Sequence, residues 1–202
     1  MRNPSKLLLA GLCATFLLAA AVSTASANHL SVNEQRHRIV WREIQWVASA
    51  GSTITCELTL EGSFHSRTIA KVANALIGHI NRASIGTCRG GSATVHTETL
   101  PWHEQYHSFT GTLPRITSVT IGFVGIRWRF RNSVEECEAG TTQSEQGLGI
   151  IGLGAEGEAN SIELSGSVAL RGNFLCNFAT ASFRGAGSVK SSTGGTIVVR
   201  LI

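Results

Sequence analysis

The stretch TITCELTL, residues 53–60, alternates apolar and polar side chains without interruption. Successive side chains of a β-strand point to opposite faces, so a period of two predicts a strand with one buried face. The predicted buried face carries Ile54, Cys56, Leu58 and Leu60. The segment RIVWREIQWVAS, residues 38–49, precedes it and is rich in β-branched and aromatic residues. A Gly-Ser turn separates the two segments, which together predict a β-hairpin.

The remainder of the chain continues in short β-branched runs, such as SATVHTETL (92–100), ITSVTIGFVGIRWRFR (116–131) and TIVVRLI (196–202). With 22 glycines and 3 prolines between such runs, the sequence predicts an all-β fold, a single antiparallel β-sandwich or barrel-like domain. In residues 69–83, IAKVANALIGHINRA, the apolar side chains fall on a helical stripe. Gly78 equally permits a strand there, so at most one short helix is expected and both structures stay open.

The N-terminus has the features of an export signal, predicted to span residues 1–27. Arg2 and Lys6 are followed by the apolar run 7–22 and by the sequence Ala-Ser-Ala at 25–27. The apolar run is shorter than the ~20 residues that a spanning helix needs, so we expect cleavage and no membrane span afterwards. Residues 28–202 are then expected to form one secreted β domain, extracellular or at the cell surface.

Four cysteines remain after the signal, namely Cys56, Cys88, Cys137 and Cys176. An even number in an exported protein indicates two disulfides, and three connectivities are possible. Nearest-neighbour pairing makes the smallest demand on topology, so Cys56–Cys88 and Cys137–Cys176 are favoured. A zinc site is the competing use of cysteine, but the chain has no C-x-x-C spacing.

Composition narrows the chemistry that the chain could perform. The chain contains no aspartate, which excludes an EF-hand loop and a Ser-His-Asp triad in its usual form. Without Arg2 and Lys6, 15 basic residues face 13 acidic ones, and the net charge falls from +4 to +2. This balance gives no reason to expect a nucleic-acid partner. There is also no G-x-S-x-G sequence, so we expect no catalytic residue and no cofactor.

The sequence PWHEQYH, residues 101–107, contains the H-E-x-x-H pattern of zinc peptidases. On a helix, His103 and His107 would converge on one metal, with Glu104 as the general base. In a strand the two imidazoles would stand about 13 Å apart, at ~3.3 Å per residue, and could not share an ion. Thr, Trp, Tyr and Phe surround the pattern and favour a strand. A zinc site at these three residues is therefore kept only as an alternative.

Three further patterns have both a functional and a structural interpretation. GLGIIG, residues 147–152, matches the G-x-G-x-x-G pattern of dinucleotide-binding loops. That function requires a strand before the pattern and a helix after it, and the flanking sequences favour neither. A glycine-rich loop or an irregular strand is therefore favoured. RWRFR, residues 127–131, could present a basic stripe to a polyanion, although a strand with a solvated arginine face is favoured. The four tryptophans could stack sugars, as in a carbohydrate-binding module, or pack in the core. They are Trp41, Trp46, Trp102 and Trp128.

Five segments of the chain form a recognisable set, namely TCELTLEGSFHSRTIAKV, ALIGHINRASI, TETLPW, SFTGTLPRI and the closing IVVRLI. Together they resemble an uncharacterised family of secreted actinobacterial β-rich proteins. The similarity covers most of the chain from about Trp41 to Ile202, including the four cysteines and the Trp102-His103 dipeptide. The resemblance implies export and a β-rich domain, and it implies no activity.

The sequence thus predicts a secreted, non-catalytic β domain that binds a ligand at the cell surface or outside the cell, such as a cell-surface polymer or glycan. Two alternatives remain open at this point. One is a zinc metallopeptidase that uses His103, Glu104 and His107, and the other is a carbohydrate-binding module that uses exposed tryptophans.

Overall fold

The structure is a computed structural model that describes residues 29–48, 51–112, 114–133, 136–172, 176 and 180–202. The predicted export signal, residues 1–27, lies outside the described residues. The described chain forms fourteen strands and one 3-10 helix, Thr97–Thr99. The strands are β1 (His29–Val32), β2 (Arg36–Ala48), β3 (Thr53–Phe64), β4 (Thr68–Ala70), β5 (Leu76–Arg89), β6 (Ser92–Val95), β7 (Trp102–Thr112), β8 (Arg115–Val124), β9 (Arg127–Arg131), β10 (Glu136–Gly140), β11 (Gly147–Leu153), β12 (Ala159–Gly172), β13 (Thr180–Ser191) and β14 (Val199–Leu201).

Eight of these strands form one closed antiparallel sheet. In the order β2, β3, β5, β7, β8, β11, β12, β13, each strand pairs with the next, and β13 pairs back with β2. Each strand therefore lies beside the next long strand along the chain, an up-and-down arrangement whose closure removes the sheet edges. The predicted all-β, antiparallel fold is confirmed, and of the two predicted architectures the structure has the barrel-like one.

Two smaller groups of strands extend the closed sheet. β12 pairs with β11 through residues 159–165 and with β10 through residues 170–172. β10 in turn pairs with β9, and β9 with β6, and we call these strands with the adjoining part of β12 the end sheet. A separate three-stranded sheet has the order β14-β1-β4. Its Leu30, Val32 and Ile69 join the common hydrophobic core.

Apolar side chains fill the interior of the closed sheet. The predicted inward face of β3 is confirmed, because its four alternating apolar side chains at 54, 56, 58 and 60 are all buried. An apolar cavity lined by Trp46, Trp128 and Phe183, among others, has a volume of only about 20 Å³. That volume has room for about one water molecule. The interior is therefore a packed core with little space for a ligand.

Of the two structures left open for residues 69–83, the structure has the strand and not the helix. β4 ends at Ala70, the chain turns at Asn74, where φ is 63°, and β5 begins at Leu76. Backbone bonds from Asn74 N to Tyr106 O and from Tyr106 N to Ala75 O tie this turn to β7. A bulge between Leu76 and Gly78 shifts the register of β5. The apparent helical stripe thus combines residues of β4, of the turn and of β5, and its members Val72 and Leu76 are exposed.

Both predicted disulfides are confirmed. Cys56 and Cys88 lie directly opposite each other on β3 and β5, with Cα atoms 4.0 Å apart. Cys137 of β10 is bonded to Cys176. Disulfides persist in oxidising compartments, so the two bridges are compatible with an extracellular location.

Candidate functional site

The H-E-x-x-H pattern lies on strand β7. His103 and His107 are exposed, whereas Glu104 is fully buried. Since neighbouring side chains of a strand face opposite sides, Glu104 points into the closed sheet and His103 points outward. Across the described residues, no three His, Cys or Glu side chains are arranged around a common metal position. The pattern lacks the helical geometry on which its zinc chemistry depends.

Inside the closed sheet, Glu104 forms an ion pair with His37 of β2. His37 Nε2 lies 2.9 Å from Glu104 Oε1, and the two side chains are 1% and 0% exposed. This distance would suit a hydrogen bond, but the angles at the two atoms do not. Neither carboxylate oxygen of Glu104 has a hydrogen-bond partner in the described part of the chain. On its other side, His37 Nδ1 lies 3.3 Å from the Gln35 carbonyl oxygen. The Phe64 ring packs at 4.6 Å from the imidazole.

Opposing effects act on the pKa of His37. Burial lowers this pKa because it disfavours the charged ring, whereas the Glu104 carboxylate and the Gln35 carbonyl raise it. The net result is a pKa above the ordinary value of 6.5. The folded protein therefore holds the proton of the His37 imidazolium more tightly than the unfolded chain does.

Two glycines make room for this buried pair. Gly62 lies opposite His37, and Gly78 lies opposite Glu104. A Cβ on Gly62 would stand 2.8 Å from His37 Nε2, and one on Gly78 would stand 2.7 Å from Glu104 Oε2. Backbone oxygens of neighbouring strands lie equally close to both positions, at 2.5 and 2.7 Å. The pair and its two glycines thus form one packed unit across β2, β3, β5 and β7.

The outer surface of the same strands carries three adjacent histidines, His65, His79 and His103, which we call the histidine cluster. His79 of β5 lies opposite His103 of β7, with ring centroids 5.2 Å apart. His65 follows β3, and its Nε2 lies 2.7 Å from His79 Nδ1. The pKa of His79 is lowered, first by partial burial and then by the charges that the two neighbouring rings acquire on protonation. This lowering favours the neutral form of the ring.

A second group of polar side chains lines a cleft on the end sheet, with a volume of about 70 Å³. We call it the polar cleft and define it by His96, Arg127, Glu138, Glu145 and Arg171. This volume holds several water molecules and therefore part of a small polar ligand.

His96 is held in a fixed orientation at the polar cleft. Its Nδ1 lies 2.6 Å from Glu98 Oε1, and its buried Nε2 makes no hydrogen bond to a described residue but lies 3.7 Å from Glu138 Oε1. The pKa of Glu98 is lowered by a backbone hydrogen bond and by His96, so the Glu98 carboxylate is favoured and accepts a hydrogen bond from Nδ1–H. Nε2, on the other side of the ring, faces the Glu138 carboxylate at the polar cleft.

The predicted alternation of RWRFR is confirmed, with its arginines exposed and its two aromatic residues buried. Arg129 Nη2 and Nε lie 2.6 and 3.1 Å from Glu138 Oε1, and these contacts lower the pKa of Glu138. Arg131 lies 3.9 Å from a carboxylate oxygen of Glu136. Arg127 instead faces Gly140 and has no ion pair with any described residue. The arginines at positions 129 and 131 are therefore paired with glutamates, whereas the guanidinium of Arg127 stays free of ion pairs to described residues at the polar cleft.

The remaining sequence patterns serve packing. All four tryptophans are at most 4% exposed, so none forms a sugar-stacking platform on the surface. The G-x-G-x-x-G pattern is strand β11, which closes the sheet between β8 and β12. A Cβ on Gly149 would stand 2.8 Å from the Phe123 ring. The glycine is therefore required for close packing, as the irregular-strand interpretation allowed.

No family model matches this chain, and no curated protein or solved structure is significantly similar to it. Within the described residues, no helix has the length and apolar character that crossing a membrane requires. The functional interpretation therefore rests on the geometry of the polar groups described above.

Sequence reasoning identified His103 and Glu104 but assigned them to one hypothetical site, whereas the structure places them on opposite faces of β7. It did not identify His37, His79 or His96. The signal available for His37 was a polar residue at an inward position of an otherwise alternating strand. No local pattern joins His79 to His103, because their proximity depends on the pairing of β5 with β7.

Proposed function

We propose that the protein is an exported, non-catalytic binding domain that holds a glycan of a cell-surface polymer in the polar cleft. The observation that carries the proposal is the mixture of donors and acceptors there. Guanidinium groups of Arg127 and Arg171 line the cleft together with the carboxylates of Glu138 and Glu145 and with His96, whose Nε2 lies 3.7 Å from Glu138 Oε1. Sugar hydroxyls both donate and accept hydrogen bonds, so such a lining suits a polyhydroxyl ligand.

The two arginines can turn to a ligand without breaking an ion pair. Neither Arg127 nor Arg171 forms an ion pair with another described residue, and both are exposed. A guanidinium presents its donors in a planar fork, which suits two adjacent hydroxyls or the carboxylate of an acidic sugar. Both hydrogen bonds from Arg129 go to Glu138 Oε1. They leave Glu138 Oε2 to accept from the same ligand.

Export is supported by the sequence of residues 1–27 and by the use of cysteine. All four cysteines beyond the predicted signal are paired in disulfides, as is typical of proteins that work in oxidising surroundings. A surface polymer or extracellular glycan is a ligand that such a protein would meet.

Neither alternative function has a comparable site. A zinc peptidase would need Glu104 beside its substrate, but this carboxylate is 0% exposed and faces His37. A sugar platform would need exposed indole rings, but all four are buried. The polar cleft is therefore the better candidate for glycan binding.

The proposal is tested on a glycan array that carries neutral and acidic oligosaccharides, followed by calorimetric titration with the best ligand. We expect the protein with intact disulfides to bind, and Arg127→Ala to weaken binding at least tenfold. Arg200→Ala is the matched control, since Arg200 is an exposed arginine of β14, outside the cleft. Acidic ligands should lose affinity with added salt because their contact with arginine is screened.

A blank array would overturn the proposal. So would equal binding by the wild-type protein and Arg127→Ala, or a loss of binding in Arg200→Ala of the same size.

A further inference from the structure

We propose that Gln105, which lies outside the polar cleft, is a positioning residue that holds one wall of the cleft in place for its ligand. It acts through residues 141–146, which connect β10 to β11 and which we call the cleft loop. This role rests on the proposed glycan binding, because a positioning residue has meaning only where a ligand binds. The contact between Gln105 and the cleft loop forms without a ligand and can be tested separately.

The cleft loop contributes Thr141, Thr142 and Glu145 to the lining of the polar cleft. Its first residue is fixed at the end sheet, because Thr141 Oγ1 accepts a hydrogen bond from the backbone N of Ile126, at 3.0 Å. The next four residues form a closed turn. Thr142 N donates to Glu145 O, and Glu145 N donates to Thr142 Oγ1, each at 3.1 Å. The position of the Glu145 carboxylate therefore depends on what holds this turn against the sheet.

Gln105 holds the turn through its side-chain amide. Gln105 Nε2 donates to Gln143 Oε1 at 2.9 Å, and Gln143 Nε2 donates back to Gln105 Oε1 at 3.0 Å. Gln146 Nε2 donates to the same Gln105 oxygen at 3.3 Å and to the backbone oxygen of Gln143 at 3.1 Å. These three side chains, which we call the glutamine latch, join β7 to the cleft loop on both sides of Glu145.

The outer face of the sheet is shaped to receive the glutamine latch. Gln105 points outward from β7 but is only 8% exposed, and its side-chain hydrogen bonds to described residues all go to the cleft loop. Its cross-strand partner on β8 is Gly122. A Cβ on Gly122 would overlap Gln146 Oε1 and would stand 3.1 Å from Gln146 Cδ. The glycine therefore leaves the space that Gln146 occupies beside Gln105.

The latch prepares the polar cleft for binding. A loop that is already held in its binding position loses less conformational entropy when a ligand arrives. Without the latch, Glu145 could move relative to Arg127 and Arg171, which are fixed on β9 and β12. Loss of the latch should therefore weaken glycan binding, although no group that lines the cleft has been removed.

The first test needs no glycan. Hydrogen exchange of the protein with intact disulfides, recorded by NMR, follows the amide protons of Thr142 and Glu145, whose hydrogen bonds close the turn. We expect Gln105→Ala to accelerate their exchange at least tenfold and to leave the amides of β3 unchanged. Gln45→Ala is the matched control, since Gln45 is a half-buried glutamine of β2 whose side chain is bonded to β13 and not to the cleft loop.

The second test measures, by calorimetry, the affinity for the oligosaccharide that the wild-type protein binds most tightly on the glycan array. Gln105→Ala and Gln143→Ala should each weaken binding at least fivefold. The double variant should bind little worse than either single variant, because both substitutions remove the same contact. Gln143 is exposed, so Gln143→Ala should keep the Tm of the wild-type protein, which separates lost positioning from lost folding. Gln45→Ala should bind like the wild type.

Unchanged exchange of Thr142 and Glu145 in Gln105→Ala would overturn the inference. So would wild-type affinity of Gln105→Ala, or a double variant in which the two losses add. None of these results concerns binding by the wild-type protein, so each leaves the proposed function standing. A blank array would instead overturn the proposed function, and with it the positioning role, even with faster exchange in Gln105→Ala.

Discussion

Gly78 lies directly opposite Glu104 across strands β5 and β7, and the carboxylate occupies the space in which a side chain at position 78 would begin. A Cβ there would stand 2.7 Å from Glu104 Oε2 and 2.7 Å from the backbone oxygen of Ser63. The glycine is thus required by a close approach of side chain and backbone. The buried charge of Glu104 can lie within the closed sheet only because its neighbour has no side chain.

Gly78→Ala should therefore destabilise the protein. Overpacking of a filled interior costs about 1–3 kcal/mol, and the backbone oxygen of Ser63 has little freedom to move away. The free energy of unfolding from urea denaturation measures the effect. Gly195→Ala is the control, since its Cβ would meet only the Ser191 hydroxyl, at 3.2 Å. Equal stability of Gly78→Ala and the wild-type protein would contradict the packed arrangement.

Removal of the charge of Glu104 should also destabilise the protein. Glu104→Gln keeps the size of the side chain but leaves a buried imidazolium without its counter-charge. Breaking a buried pair costs about 3–5 kcal/mol, and we expect about 3 kcal/mol because His37 can release its proton. Glu163→Gln on the exposed face of β12 is the control and should change little. A loss below about 1 kcal/mol for Glu104→Gln would show that the pair is not formed.

The raised pKa of His37 predicts a pH dependence of stability. The folded protein holds this proton more tightly than the unfolded chain, whose histidine pKa is about 6.5. The resulting stabilisation is complete below pH 6.5 and is lost as the pH rises through the higher pKa of the folded state. Denaturation between pH 5 and 9 should show this decline in the wild-type protein. A His37→Gln variant with the same slope would contradict the assignment.

The alternation of apolar and polar residues along the chain made the β-strands and their buried faces predictable. The period of two in residues 53–60 gave the inward face of β3 residue by residue, and the same rule separated the arginines of β9 from its aromatic residues. Disulfide pairing was also predictable, because nearest-neighbour bridges fit a meander of short strands. These features depend on local pattern or short connections, which sequence reasoning can evaluate.

The polar sites depend on contacts that no local pattern encodes. His37 and Glu104 come from β2 and β7, which have β3 and β5 between them in the closed sheet and meet only through its interior. The apparent helix at 69–83 arose because the apolar residues of β4, of the following turn and of β5 happen to recur at a helical spacing. The H-E-x-x-H pattern is likewise a chance match. Its spacing brings two histidines to one metal ion only on a helix, and β7 is an extended strand.

The two disulfides should each make a similar contribution to stability. They join cysteines 32 and 39 positions apart, and loops of this size correspond to about 3–4 kcal/mol in the chain-entropy treatment. Cys56→Ala with Cys88→Ala, and Cys137→Ala with Cys176→Ala, should therefore lower the free energy of unfolding by nearly equal amounts. Before this comparison, thiol titration of the unreduced chain from residue 28 in denaturant should find no free thiol. Two free thiols per chain would show that one of the two bridges does not form. A double variant as stable as the wild-type protein would show that the bridge it removes makes no contribution.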